Sequence, residues 1–404
     1  MQYSRWLLGP LGRPISRGKA RLVLGARQTG KTTLFQLLRR PADLFVDLQE
    51  RGERLRLARD PEALTRALLA SRRAHQHIFV DEVQRVPELL DEIQLLLDRH
   101  PGRFTFTLTG SSARRLRRRD ANLLPGRVHR HLLGPVCLWE QVGRRPTVLP
   151  PPRRLSGPGF PARRLEEMLV LGCLPASFVE GKGFTKTLET YAETYIEEEV
   201  LRESAARNIG PYGRFLELAA AESGRPINLT RVSQESGVAL STLRQFYSVL
   251  EDTLIGFPVP PFSRSGSARV FKTPRFFVFD TGVRNALARL PLDERILATE
   301  GGNLFEQWVA CELMTRLRYM GPAYRLSFWR TTDGAEVDLI VETPREVIPL
   351  EVRYTARPRP ADAQGIERFI ARYPRLARRG FVVCRAPRPE RLSRHVRALP
   401  WQEL

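Results

Sequence analysis

Leu22-Val23-Leu24-Gly25-Ala26-Arg27-Gln28-Thr29-Gly30-Lys31-Thr32-Thr33 is the stretch that decides the fold. An apolar run leads into the pattern G-x-x-x-x-G-K-[ST], and a helix-like segment, Thr33 to Leu38, follows. The glycines let the backbone wrap close to an anion, and successive N–H groups together with a helix N-terminus make a nest for phosphate. Lys31 is placed to reach β- and γ-phosphates, and the Thr32 hydroxyl to ligate Mg²⁺. The expected nucleotide contacts are therefore Gly25, Ala26, Arg27, Gln28, Thr29, Gly30, Lys31, Thr32 and Thr33.

Further along, His77-Ile78-Phe79-Val80-Asp81-Glu82 reads as an apolar strand ending in two carboxylates. In a phosphate-loop protein Asp81 holds the Mg²⁺ shell, and Glu82 orients and polarises the attacking water. Glu82 and Lys31 are thus the expected catalytic groups, with ATP and Mg²⁺ as cofactors. Another strand, Phe104 to Leu108, runs into Thr109-Gly110-Ser111-Ser112. Thr109, with Ser111 next, is expected to face the γ-phosphate. The runs RLVL, DLFVDL, HIFV and FTFTLTG alternate with amphipathic segments TTLFQLLRR, PEALTRALLA and ELLDEIQLLLDR, which predicts a parallel α/β sheet over residues 1–142.

Charge points to the partner class. The chain has 404 residues, with 65 Lys+Arg against 44 Asp+Glu and a formal net charge of +21. That excess favours polyanions, nucleic acid first. Between Arg103 and Arg164 fourteen arginines face two acids, Asp120 and Glu140, and Arg115, Arg117, Arg118 and Arg119 form the densest cluster. Four scattered cysteines, with no C-x-x-C pair, suggest neither a zinc site nor a disulfide framework. No apolar stretch of membrane-spanning length occurs, so no membrane partner is expected and the cytoplasm is the simplest location.

Composition shifts at residues 143–164, dense in Pro, Gly and Arg, which read as a linker or mobile loop. Residues 226–257 have the spacing of a helix-turn-helix. The first helix ends at Gly237, Ser241 caps the second, and Leu243, Phe246, Tyr247 and Leu250 form its buried stripe. Arg244 and Gln245 then face outward, able to touch phosphate or base edges. Near the C-terminus Glu306 lies in a helical segment, Asp338 in the strand GAEVDLIV and Glu351 in the next strand, VIPLEVRY. That is the layout of a PD-(D/E)xK nuclease core, whose acids hold Mg²⁺, so Glu306, Asp338 and Glu351 are candidates for a second metal site. The lysine position holds Arg353, which cannot act as a base. Cleavage is expected to be weak or absent. The competing expectation is that Arg353 pairs with Glu351 or Asp338 as a buried bridge.

With VLGARQTGKTTLFQLL, HIFVDEVQRVPELL, FTLTGSSARRL, VFKTPRFFVFDTGVRNAL, GGNLFEQWVACEL and IPLEVR in view, the chain resembles prokaryotic AAA-type ATPases fused to a C-terminal domain of unknown function with a restriction-endonuclease-like core. The resemblance implies ATP binding, hydrolysis, and a winged helix between the two parts. It divides the chain into a P-loop ATPase domain (1–142), the Pro/Arg-rich linker (143–164), a helical lid and winged-helix region (165–262) and a nuclease-like α/β domain (263–404). It also leaves room for a homo-oligomer. The leading expectation is an ATP-dependent switch or motor on nucleic acid, DNA favoured. The alternatives are a DNA-binding scaffold with ATP as conformational ligand, and an ATP-gated, Mg²⁺-dependent nuclease.

Overall fold

Short apolar segments bounded by turns can bury both faces only between layers of helix. β1 (Ala20–Leu24) is buried along its whole length, and β2 (Leu44–Asp47), β3 (Gln76–Asp81), β4 (Phe104–Gly110) and β5 (Val128–Leu132) complete a sheet in the order β2-β3-β4-β1-β5. All its pairs are parallel. The computed structural model describes residues 3–111, 126–195, 209–263 and 273–404. Four of the five strands coincide with the apolar runs. The fifth, Val-His-Arg-His-Leu, carries three polar residues and serves as an edge, where one-sided exposure tolerates them. Helices α1 (Lys31–Leu38), α2 (Arg51–Arg59), α3 (Glu62–Ala70) and α4 (Leu89–Arg99) intervene. In α4 the buried positions are Leu89, Leu90, Ile93, Leu96 and Leu97, the three-and-four spacing of one helix face. They pack with Leu22, Ile78, Val80, Phe106 and Leu108 in one core.

These elements belong to a unit formed by Met1–Gly134 with Leu155–Pro158 and Asp252–Leu254. The returning pieces are integral to it. Ser4 N donates to Pro158 O (2.8 Å), Ser4 Oγ to Ser156 O (3.1 Å), and Leu254 packs against the core.

The second unit comprises Pro135–Arg154, Gly159–Glu251 and Ile255–Leu404. Among the described residues its α-helices of seven residues or more are α5 (Leu165–Leu171), α6 (Phe184–Tyr195), α7 (Ile209–Ala221), α8 (Leu229–Ser236), α9 (Leu240–Asp252), α10 (Thr281–Leu287), α11 (Leu297–Met320) and α12 (Gln364–Arg372). Asn228 caps α8 through Arg231 N, and Gly237 ends it in the left-handed region (φ 70°). Because α9 begins at Leu240, Ser241 lies inside its first turn instead of capping it. Leu243, Phe246, Tyr247 and Leu250 are buried as the stripe requires. β6 (Gly256–Val259) and β7 (Arg275–Val278) then pair antiparallel, so this ladder joins residues on both sides of the expected boundary at 262/263. Of the segment 143–164, read as a linker or mobile loop, residues 143–154 make specific contacts within this unit, while 155–158 belong to the first. Thr147 N donates to Glu403 O (2.7 Å), and buried Arg316 donates to Val148 O (3.0 Å).

The last 80 residues form a six-stranded mixed sheet in the order β12-β13-β11-β10-β9-β8. β8 (Arg325–Arg330), β9 (Glu336–Glu342) and β10 (Val347–Val352) make an antiparallel meander. After α12, β11 (Gly380–Cys384) lies parallel to β10, and β12 (Glu390–Arg391) and β13 (Val396–Pro400) close the sheet. Ile366, Phe369 and Ile370 of α12 pack on Val337, Ile340 and Val382. Among the described residues, no helix is long and apolar enough to cross a membrane.

Candidate functional site

Parallel topology puts the C-terminal ends of β1, β3 and β4 side by side, and the loop after β1 turns there into α1. Two residues of that loop take left-handed conformations, Gln28 (φ 63°) and Gly30 (φ 88°). Gly25 must be glycine for a separate reason: a Cβ there would stand 2.7 Å from both Leu133 O and Thr29 Oγ1. Thr29 Oγ1 donates to Ala26 O (2.8 Å), and the buried Arg5 donates to Thr29 O (2.6 Å) and Gly134 O (2.7 Å). The loop is therefore braced from within and from the N-terminal segment. Lys31 Nζ lies against Gly25 O (2.9 Å) and Ala26 O (3.1 Å), and 3.8 Å from Glu82 Oε1.

Asp81, at the end of β3, is fully buried. Its Oδ2 accepts from Thr32 Oγ1 (2.8 Å) and Gln49 Nε2 (3.0 Å), and its Oδ1 from Thr109 Oγ1. A threonine hydroxyl beside a carboxylate at a phosphate loop is the donor set that suits a hard octahedral cation such as Mg²⁺. Thr109, expected to face the γ-phosphate, donates to Asp81. It is fully buried, and its hydroxyl also accepts from Glu82 N (2.9 Å), so it fixes both acids from the neighbouring strand.

Glu82 adopts φ 58°, ψ 47°, a conformation that costs a non-glycine residue of order 1 kcal/mol or more. Its Oε2 accepts from Gln84 Nε2 and from Ser111 Oγ (3.1 Å). Gln84 Nε2 also donates to Ser111 Oγ (2.9 Å), while Gln84 Oε1 is buried without a hydrogen-bond partner among the described residues. Lys31, Thr32, Asp81, Glu82 and Thr109 are thus brought together, as their motifs imply. Arg5, Gln49 and Gln84 were not foreseen. Gln84 stands two residues past the carboxylate pair, and Gln49 closes the DLFVDLQ run, but only the sheet order reveals what either touches.

Elsewhere the expected contacts fare differently. Arg115, Arg117, Arg118 and Arg119 lie outside the described residues. Arg127, just beyond them, is paired with Asp98 (2.6 Å). Arg244 and Gln245 are exposed on α9, as the spacing predicts. In the C-terminal sheet Asp338 and Glu351 meet: Asp338 N donates to Glu351 Oε2 (3.3 Å), and Val352 N to Asp338 Oδ2 (2.9 Å). Arg353 bridges them, with Nη1 3.2 Å from Asp338 Oδ2 and Nη2 2.6 Å from Glu351 Oε1. Glu306 is bound by Arg275, whose Nη1 also donates to Asp338 O (3.1 Å). Burial, aided by the nearby Asp338 carboxylate, pushes Glu306 up to about 7 and Glu351 up to about 8, and burial raises Asp338 as well. Among the described residues, no three His, Cys, Asp or Glu side chains are grouped to hold a metal ion. Guanidinium groups stand at these carboxylates, Arg275 at Glu306 and the half-exposed Arg353 between Asp338 and Glu351.

Residues 17–142 match a family described as an AAA domain, and residues 301–404 a domain of unknown function, DUF4143. The chain carries an AAA-type ATPase domain fused to a domain of unknown function. Residues 162–294 match another domain of unknown function, DUF8612. Uncharacterized proteins of Mycobacterium bovis and Mycobacterium tuberculosis are each 26% identical over 353 residues, 86% of this chain and 73% of theirs. A DNA polymerase III gamma subunit-related protein from Thermotoga maritima aligns over 61% of this chain and 99% of its own, at 12% identity and a TM-score of 0.30. A Vibrio cholerae protein aligns over 91% and 89%, at 12% identity and a TM-score of 0.16. Neither alignment bears on the fold at those scores.

Proposed function

We propose that the AAA-type domain binds ATP with Mg²⁺ and hydrolyses it, and that the protein is a cytoplasmic, nucleotide-driven switch or motor on nucleic acid. The observation that carries the reading is the Asp81 carboxylate, hydrogen-bonded to Thr32 of the loop at 2.8 Å with Glu82 beside it, 3.8 Å from Lys31. Thr32 and Asp81 would hold Mg²⁺, which would supply charge neutralisation for the phosphates. Lys31 exchanges its carbonyl contacts for phosphate oxygens, the loop N–H groups hold the rest of the anion, and Glu82 takes a proton from the attacking water. Thr109, Gln84 and Ser111 hold the two acids at fixed positions.

Nucleic acid enters the reading on charge, +21 overall, and on the exposed Arg244 and Gln245 of α9. A helix pair followed by the β6–β7 hairpin is the element order of a winged helix, and α11-β8-β9-β10-α12-β11 that of a restriction-endonuclease-like core. We read both folds into the second unit, the latter with Arg353 as its resident cation. Glu82→Gln tests the catalytic part. ATP affinity should be kept and turnover should fall by about 10²-fold or more, and the wild-type rate should rise when duplex DNA is added. Undiminished hydrolysis by that variant would move the base elsewhere.

A further inference from the structure

The six-stranded sheet of the second unit has two unlike ends. At one, Asp338, Glu351 and Asp362 gather around Arg353. At the other, where β8, β10, β11 and β13 begin, the backbone register assembles arginines. Arg325 opens β8 opposite Glu342, the last residue of β9. The turn after Glu342 carries Arg345. Val347 N donates to Leu376 O (3.0 Å), which sets the turn holding Arg375 against the start of β10. Gly380 N donates to His395 O (3.0 Å), which sets Arg378 and Arg379 beside Arg394.

Arg325, Arg345, Arg375, Arg378 and Arg394 are all exposed, and none of them forms an ion pair with a carboxylate among the described residues. The acids at this end are already engaged. Glu346 is held by Arg379 (2.6 Å), and Glu342 accepts from Ser327 Oγ (2.9 Å). Local composition shows that this is more than the general arginine richness of the chain. Residues 364–397 hold ten arginines and two acids, against 65 and 44 basic and acidic residues overall.

We infer that this end of the sheet is a docking surface for a nucleic-acid phosphate backbone. β8, β9, β10, β11 and β13 are successive neighbours, so the arginines span four strand spacings, about 19 Å in all. A row of that form matches a linear polyanion, and each guanidinium fork fits phosphate oxygens in pairs. Among the described residues, none of the exposed large apolar side chains belongs to this sheet, which argues against insertion into a lipid surface. With no base-reading element in the row, binding there is sequence-independent. The surface is separate from α9 and from the acid end. It rests on the reading above only for the class of partner.

The test uses the full chain without nucleotide, and fluorescence anisotropy with labelled 30-base-pair DNA and 30-nucleotide single-stranded RNA across a salt series. A quadruple variant, Arg345→Gln, Arg375→Gln, Arg378→Gln and Arg394→Gln, is compared with a charge-matched control, Arg40→Gln, Arg51→Gln, Arg59→Gln and Arg72→Gln. Unchanged circular dichroism and melting temperature verify that both fold. The sheet variant should flatten the log–log salt slope on duplex DNA by about 3.6, at roughly 0.9 per lost contact. It should also lose at least tenfold in affinity at 100 mM salt, while the control keeps the wild-type slope. DNA and RNA probes separate the two sources of phosphodiester. Equal losses in both variants, or wild-type binding by the sheet variant, overturn this surface and leave the broader reading intact. Absence of nucleic-acid binding by the wild type overturns both. Loss of binding to phosphatidylserine vesicles with nucleic-acid binding unchanged reassigns the surface to membrane and also overturns it.

Discussion

Gln84 makes no contact that its position in the sequence announces, yet it holds Glu82, the residue proposed to activate water. Its amide nitrogen reaches both Glu82 and Ser111, and its oxygen is buried without a hydrogen-bond partner among the described residues. If it works by aiming Glu82, Gln84→Ala should lower the ATP turnover number roughly 10- to 100-fold, the scale of a misplaced reacting group, with ATP affinity within twofold of wild type. In a Glu82→Gln background the same change should cost almost nothing further. Single-turnover rates of the four proteins decide it, and additive losses would make Gln84 a packing residue only. Lys31→Ala should abolish ATP binding in calorimetry, because the cation placed for the β/γ-phosphates is gone. The difference between these residues also separates what was legible from what was not. Gly25, Gly30, Lys31 and Thr32 act through local backbone geometry, so their spacing alone betrays them. Arg5, Gln49 and Gln84 act across strands or from a distant segment, and only tertiary packing brings them in.

At the scale of elements, α10 shows how a helix terminus is seated. Asp280 caps it through Val283 N (3.1 Å) and also accepts from Cys173 N (2.6 Å) beyond the end of α5. A Cβ on Gly282 would collide with Leu171 O, and one on Gly172 with the Asp280 carboxylate. Gly282→Ala should therefore destabilise the second unit by about 1–3 kcal/mol, the usual cost of overpacking. Urea unfolding followed by tryptophan emission reads it, since Trp139, Trp308, Trp329 and Trp401 lie in that unit. The sheet of the second unit carries its own expectation: no Mg²⁺- or Mn²⁺-dependent nicking of plasmid by the wild type, because guanidinium groups hold the carboxylates. Robust cleavage that vanishes in Asp338→Ala would refute this. Elements with strong apolar periodicity, such as α4 and β4, were readable in advance. β5 was not, because a polar edge strand looks like a loop until its neighbour supplies the hydrogen bonds. The start of α9 was misplaced by two residues because Ser241 is a good cap by type, while the helix begins after Ala239.

The whole molecule holds two units with opposite responses to acid. In the second, burial pushes Glu312 up to about 7 and Asp280 up to about 6, so the folded state binds more protons than the unfolded state between about pH 4 and pH 7. Stability there is greatest at low pH within that window and falls as pH rises through it. In the first unit, burial lowers His77 and His131 to about 4, so stability is lost as pH falls from about 6.5 toward 4. Between pH 5 and pH 7.5 the tryptophan-reported urea midpoint should decline. Glu312→Gln should flatten that decline by an amount on the order of 3 kcal/mol, at about 1.4 kcal/mol per pKa unit. A midpoint that rises over this range would refute the assignment. The return of the chain at Leu155–Pro158 and again at Asp252–Leu254 to complete the first unit has a consequence for biosynthesis. The ribosome will have made every strand of the ATPase sheet by Leu132, but the residues that finish its packing emerge more than a hundred codons later. At about 5–20 residues per second that is a wait of roughly 6 to 25 seconds. During that wait the nascent sheet lacks its last pieces. A gene fragment cut at the end of the ATPase homology should yield a less stable protein than the same domain within the intact chain.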